Sequence, residues 1–150
     1  MAEENKAIVQ RLFEELWNQG KMDLVDQIIH QSYNHTDPAI PPTQASGPGL
    51  VSHQVLTYRS TFPDLHFSIE EMLAEGDKVV ASFTAKGTHS GGTNWLGIVS
   101  TGIRAEAKGV SVNHIVDSKI MGSQLYWYPM GLLQQLSLSI SQRLSSKARL

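Results

Sequence analysis

Hydrophobic positions in the first part of the chain recur every three or four residues, which is the spacing of an amphipathic helix. The first such stripe consists of Ile8, Leu12, Phe13, Leu16 and Trp17. A shorter stripe contains Leu24, Val25, Ile28 and Ile29, and a third contains Val51, Val55, Tyr58 and Phe62. Pro48 stands at the start of the third stripe, a position where helices favour proline. The pattern predicts three helices, with a proline-rich loop over 37–49 before the third.

After Pro63 the hydrophobic period changes to two, which is typical of half-buried strands. Alternation runs through Leu65, Phe67 and Ile69, and again through Val79, Ala81, Phe83 and Ala85. Two longer strands are predicted over 104–116 and 119–128, with a tight turn at Asp117 and Ser118 between them. Helices followed by antiparallel strands indicate an α+β fold. A curved sheet wrapped around the helices would form a cone whose interior can hold a small apolar ligand.

The composition agrees with a single globular domain. The 150 residues are 41% hydrophobic and 17% charged, and the net charge of −2 comes without a run of basic residues, which argues against nucleic-acid binding. The chain has no cysteine, which excludes disulfides and thiolate chemistry. The first residues, MAEENK, do not resemble a signal peptide, and no apolar run reaches the ~20 residues that cross a bilayer. We therefore expect a cytoplasmic protein without a membrane span.

Five segments of the chain resemble SnoaL-like polyketide cyclases. In order they are ENKAIVQRLFEELWNQGKMDLVDQ, YNHTDP, TFPDLHFSIEEMLAEGDKVVASFTAKGTHSG, GVSVNHIVDSKI and WYPMGLLQQL, which together span about residues 4 to 136. The resemblance implies the cone-shaped nuclear-transport-factor-2-like fold over 1–136, followed by a C-terminal extension over 137–150. It also implies intramolecular aldol cyclisation of a polyketide without metal or organic cofactor.

The chain departs from the family at the position of the general acid/base. The family's closing pattern is roughly WxxWDxxGLLQQL, and here Trp127 and residues 131–136 match while Tyr128 replaces the Asp. A phenol with a pKa near ~10 donates a hydrogen bond but is a poor base at neutral pH. Tyr128 could polarise a substrate carbonyl, or it could simply close the pocket. If it faces the cavity, strand alternation places Tyr126 and Gln124 there as well.

His35 is the best remaining base by sequence. It lies in YNHTDP, the element that resembles the family's segment at the mouth of the cone, between Asn34 and Asp37. An imidazole can accept a proton at neutral pH, and Asp37 could orient it. The alternative is a loop histidine that caps a turn.

Asn34 and Asp37, the neighbours of His35, are predicted ligand contacts, and others are distributed over the cone. Ser111 and Asn113 share one face of a strand, His89 in GTHSG matches the family, and Tyr58 lies on the third helical stripe. Trp95 is either a lid over a planar ligand or the anchor of a surface loop. The six histidines are scattered singly, so we expect no metal site. That no organic cofactor is needed is what the resemblance implies.

Three functions remain open from the sequence. The first is a SnoaL-like cyclase or isomerase acting on an apolar or polyketide-like carbonyl compound. The second is a non-catalytic binding protein that kept the cavity and lost the acid/base Asp. The third is a homodimerisation module that pairs through an apolar row at Val110, Val112 and Val116. The resemblance also implies a homodimer or a higher homo-oligomer, paired through the convex face of the sheet.

The extension continues a helical stripe through Leu132, Leu136, Ile140 and Leu144. A helix packed on the protein's own sheet is the simplest interpretation. A dimer contact, a partner-binding helix and a membrane-surface helix are the alternatives.

Overall fold

The computed structural model describes residues 1–40, 45–90 and 100–137 of the chain. The helical elements are α1 (Ala2–Arg11), a π-helical segment (Leu12–Trp17), a 3₁₀ turn (Met22–Leu24), α2 (Val25–Ile28) and α3 (Pro48–Thr61). The strands are β1 (Ile29–Thr36), β2 (His66–Glu75), β3 (Lys78–Thr88), β4 (Arg104–Val116) and β5 (Lys119–Trp127). Residues 129–137 are also helical. Trp95 and all of the predicted extension beyond residue 137 lie outside the described residues.

The five strands form one sheet in the order β1-β5-β4-β3-β2. Neighbours are antiparallel except β1 and β5, which run parallel. The turn between β4 and β5 has positive φ at both Asp117 (53°) and Ser118 (60°). Two left-handed residues are the requirement of the two-residue hairpin turn whose twist matches that of the flanking strands. The helices pack against one face of the sheet, and the predicted α+β cone fold is confirmed.

The core between helices and sheet centres on aromatic side chains. Phe13 from the π-helical segment, Phe67 from β2 and Phe83 from β3 meet with ring centroids 5.2–5.6 Å apart. The wider π-helical turn, closed by the bond from the Asn18 N–H to the Phe13 carbonyl, coincides with four buried side chains within six residues. No helix in the described ranges is long and apolar enough to cross a membrane.

A β-bulge in β5 decides which of its side chains face the core. His114 pairs with Gly122 while Ile115 pairs with Ile120, so Met121 is an extra residue on β5. An extra residue moves the following side chains to the opposite face of the sheet. Ile120 is buried before the bulge, and the side chains that face inward after it are Ser123, Leu125 and Trp127.

Candidate active site

A cavity of about 110 Å³ lies between the helices and the concave face of the sheet. Its walls are mainly aromatic and aliphatic, with Phe13, Trp17, Phe62, Phe67, Phe83 and Leu125 among them. The polar groups on its walls are Tyr33, Asp37, Gln54, Tyr58, Ser111, Asn113 and Ser123. Lys86 and Glu106, both about half exposed, also line it and form an ion pair of 3.9 Å. A few convergent polar groups in an apolar cavity are typical of small-molecule sites.

Asp37 brings a carboxylate to the cavity wall although the residue is only 7% exposed. Its Oδ1 accepts hydrogen bonds from the Trp127 indole (3.0 Å) and the Ala39 backbone N–H (2.9 Å). Its Oδ2 accepts one from the Tyr58 hydroxyl (3.1 Å). A carboxylate offers about four acceptor positions, so the contacts within the described residues leave one of them open, on Oδ2.

The parallel pairing of β1 and β5 explains why these groups meet. Thr36, the last residue of β1, is paired with Gln124, and both strands then run in the same direction. The segment that follows β1 therefore passes the end of β5, where Trp127 faces inward. Helix α3 contributes Tyr58 from the other side.

A row of buried polar side chains crosses the wall formed by β4 and β5. Ser123 Oγ donates to Asn113 Oδ1 (2.8 Å), and Asn113 Nδ2 donates to Ser111 Oγ (3.0 Å) and to the Val79 carbonyl (3.3 Å). Tyr33 from β1 lies beside Ser123. Burial raises the pKa of Tyr33 to about 12, against the opposing effect of the Ser123 hydroxyl, so its phenol is neutral at physiological pH.

The structure places His35 behind the cavity wall. Its Nε2 is hydrogen-bonded to the side-chain nitrogen of Gln54, which lines the cavity, whereas His35 does not. The buried Nδ1 has no hydrogen-bond partner within the described ranges. Burial lowers the pKa of His35 and the nearby Asp37 opposes that shift, so the ring favours its neutral form.

His89 is fully buried and, like His35, does not line the cavity. Its Nδ1 accepts a hydrogen bond from the Thr101 backbone N–H (3.2 Å). The same nitrogen lies 3.0 Å from the Thr101 hydroxyl oxygen. Its ring packs on Phe62 with centroids 5.5 Å apart. Because a backbone N–H can only donate, Nδ1 is unprotonated and the neutral ring carries its hydrogen on Nε2. Burial lowers the pKa of His89, in keeping with that neutral form.

The predicted facing of Tyr128, Tyr126 and Gln124 is corrected by the structure. Tyr128 is 64% exposed and Tyr126 is 58% exposed, and Gln124 is exposed as well. The strand ends at Trp127, so its alternation does not extend to residue 128, and after the bulge the inward face carries the odd-numbered residues. Asn34 is likewise exposed on β1. Among the other predicted contacts, the structure brings Asp37, Tyr58, Ser111 and Asn113 together at the cavity, while Trp95 lies outside the described residues.

The wall residues that were not predicted as ligand contacts include Tyr33, Gln54, Ser123 and Trp127. A signal for Trp127 was present, because Leu125 and Trp127 alternate with Gln124 and Tyr126 in a pattern of apolar inside and polar outside. Gln54 also lies at helical spacing from Val51 and Tyr58, but a polar side chain is not typical of a buried stripe. Within the described ranges, no three His, Asp or Glu side chains come together as metal ligands.

The sequence profile of SnoaL-like polyketide cyclases matches residues 7–136. The chain belongs to this family. The SnoaL-like chain is similar to a candidate polyketide cyclase from Acidithiobacillus ferrooxidans, with 27% identity, a TM-score of 0.79, and coverage of 90% of this chain and 95% of the other. It is also similar to TsrD from Streptomyces laurentii, with 28% identity, a TM-score of 0.73, and coverage of 87% and 95%.

A curated relative of the SnoaL-like chain is the glucokinase regulatory protein of Mus musculus. The two are 27% identical over 135 residues, which is 89% of this chain. The chain spans only 18% of the length of that relative.

Proposed function

We propose that the protein catalyses cofactor-free proton-transfer chemistry on a small apolar carbonyl compound, as an aldol cyclase or a related isomerase. The single observation that carries the proposal is the position of Asp37, a carboxylate oriented by three donors on the wall of an apolar cavity. Family membership supports this reaction class. Asp37 would take over the role of the Asp that Tyr128 replaces.

The reaction needs a base that removes a proton from the carbon next to a carbonyl. The open acceptor position on Asp37 Oδ2 would take that proton, and the electron pair of the C–H bond would become an enolate. The enolate carbon then bonds to a second carbonyl carbon of the same molecule, whose π electrons move onto its oxygen. Asp37 returns the proton to that alkoxide, so the carboxylate is regenerated.

The neutral Tyr33 phenol and the Ser111 hydroxyl would supply the electrostatic part of the reaction. They line the wall formed by β1, β4 and β5, where an enolate oxygen could accept their hydrogen bonds. The cavity of about 110 Å³ favours a compound near the size of a single ring, since an engineered cavity of about 150 Å³ holds benzene. The proposed substrate class is therefore a small diketone or enolisable ketone.

The test uses heptane-2,6-dione, a small diketone that can close to a six-membered ring. NMR in D₂O follows both exchange of its α-protons and ring closure. We expect Asp37→Asn to lower both rates ~10²-fold or more, because the amide cannot accept the proton. The affinity for the diketone should change little, since the asparagine oxygen can still accept from Trp127 and Ala39.

Tyr128→Phe is the matched control. It removes the hydroxyl of an exposed side chain at the family's Asp position, and we expect rates within about twofold of the wild type, because no transition-state contact is lost. A loss of activity in Tyr128→Phe, with Asp37→Asn unchanged, would overturn the assignment of the base.

A non-catalytic binding protein is the second candidate, favoured by the absence of a carboxylate at position 128. In that case heptane-2,6-dione should raise the melting temperature without exchange or ring closure above the buffer rate.

The predicted homodimer and cytoplasmic location stay predictions. Val110 and Tyr126 are paired on the outer face of the sheet, which is the surface that the dimer would use.

A further inference from the structure

We propose that the Ser111 hydroxyl is the donor that recognises the carbonyl or enolate oxygen of the ligand, whereas Ser123 on the same wall is not. The inference rests on the proposed function only in taking the cavity as the ligand site. It follows from the direction of the hydrogen bonds through Asn113, which determines where each hydroxyl hydrogen points.

The Val79 carbonyl fixes the orientation of the Asn113 amide. A backbone carbonyl can only accept, so the atom of Asn113 that faces it at 3.3 Å must be Nδ2. The oxygen of the amide therefore faces Ser123 Oγ at 2.8 Å. An amide oxygen also only accepts, so the Ser123 hydroxyl hydrogen is already committed to Asn113.

The other end of the row has the opposite polarity. The second hydrogen on Asn113 Nδ2 points to Ser111 Oγ at 3.0 Å, so Ser111 acts there as an acceptor. Its own hydroxyl hydrogen has no acceptor within the described residues, although Ser111 is only 1% exposed and lines the cavity. A buried donor without a partner is unfavourable, and a ligand oxygen in the cavity would satisfy it.

The two serines thus present different chemistry to the same cavity. Ser111 offers a hydrogen, and it is polarised for donation because it accepts one from Asn113. Ser123 offers only lone pairs of its oxygen, because its hydrogen is donated to Asn113. The geometry therefore selects a ligand whose oxygen accepts a hydrogen bond at Ser111, as the oxygen of a ketone or its enolate does.

The test compares acetophenone with α-methylstyrene, which has nearly the same shape but a CH₂ group in place of the carbonyl oxygen. Dissociation constants are measured by NMR titration of the full chain. We expect the wild type to bind the ketone about fivefold more tightly, the size of one hydrogen bond to a neutral group. In Ser111→Ala this ratio should fall to about one, and in Ser123→Ala, the matched control, it should stay near the wild-type value.

The outcomes separate the possibilities. If the preference for acetophenone persists in Ser111→Ala, or is lost in Ser123→Ala instead, the proposed direction of the hydrogen bonds through Asn113 is wrong. Equal affinities in the wild type, or no binding of either compound, would overturn the recognition itself. If Ser111→Ala does not fold, Ser111→Cys keeps the volume with a weaker donor and should reduce the ratio. Because no turnover is measured, failure here is distinct from unchanged turnover in Asp37→Asn.

Discussion

The indole Nε1 of Trp127 donates a hydrogen bond to Oδ1 of Asp37 across 3.0 Å. Trp127 belongs to the closing pattern of the family, and Asp37 lies 90 positions earlier in the chain. The tryptophan that precedes the missing family carboxylate therefore orients a different carboxylate at the same cavity.

Trp127→Phe should remove that donor while retaining an aromatic ring in the wall. A hydrogen bond to a charged group contributes about 1.5–3 kcal/mol, so we expect the melting temperature to fall by roughly 3–10 °C. Turnover of heptane-2,6-dione should fall about tenfold or more, because Asp37 would be less well oriented. Thermal unfolding and the NMR assay measure the two effects.

Tyr126→Phe is the control for this change. Its hydroxyl lies 3.2 Å from the Gln124 side chain on the exposed face, next to Trp127 in sequence but on the other side of the strand. The free energy of unfolding of Tyr126→Phe should stay within about 0.5 kcal/mol of the wild type, as is usual for surface substitutions. Equal losses in both variants would show that the effect of Trp127→Phe does not come from the bond to Asp37.

Gly109→Ala should disturb the cavity wall from the sheet side. A Cβ at this position would lie 2.7 Å from Phe83 Cζ and 3.0 Å from both Trp127 Cβ and the Tyr126 carbonyl oxygen. Overpacking of this kind costs about 1–3 kcal/mol, which denaturant unfolding measures directly. Phe83 and Trp127 both line the cavity, so ligand affinity should fall as well.

Gly49→Ala provides the comparison, because a Cβ there would meet nothing within 4 Å in the described structure. It lies in the first turn of α3, where alanine is a better helix former than glycine. We expect a gain of about 0.4–1 kcal/mol. A Gly109→Ala variant as stable as Gly49→Ala would contradict the close packing at β4.

His89 should make stability depend on pH on the acidic side of neutrality. Its folded pKa is lowered from the ordinary value of about 6.5, so the unfolded chain binds more protons than the folded one below that pH. The contribution of His89 to the free energy of unfolding is therefore complete above about pH 6.5 and is lost as the pH falls toward the folded pKa. We expect the melting temperature of His89→Gln to vary less between pH 7 and pH 5 than that of the wild type.

His35 acts in the same direction, so His89→Gln should remove only part of the dependence. His66→Gln, on the exposed side of β2, is the control for the substitution itself. An unchanged pH profile in His89→Gln would rule out titration of His89 as a source.

The sequence predicted the fold but not which side chains of β5 point toward the cavity. Apolar spacing predicted α1, α3 and strands β2 to β5 correctly, because each of these elements carries its own period. Strand β1 was not predicted, and its first residue, Ile29, had been assigned to the second helical stripe. The inward face of β5 depends instead on the extra residue at Met121 and on where the strand ends, and neither has a local pattern. Extrapolating the face from the family Asp position therefore placed Tyr128, Tyr126 and Gln124 on the wrong side.

Only those site residues that follow a local sequence pattern could be predicted. Ser111 and Asn113 were predicted as a pair because they alternate on one uninterrupted strand. Asp37 was predicted as a ligand contact and as a partner of His35 but not as the base, since its bonds to Tyr58 and Trp127 join distant segments. Contacts of that kind follow from strand pairing across the whole chain, which no single motif encodes.

The position of β1 also bears on how the molecule reaches its native state. Strands β2 to β5 are joined in sequence order and can pair as successive local hairpins, whereas β1 must close a loop across most of the chain to reach β5. Closing so long a loop is slow, and it gains contacts only once the partner strand exists. We therefore expect the Asp37 pocket to assemble last during folding and the hairpins to form without it.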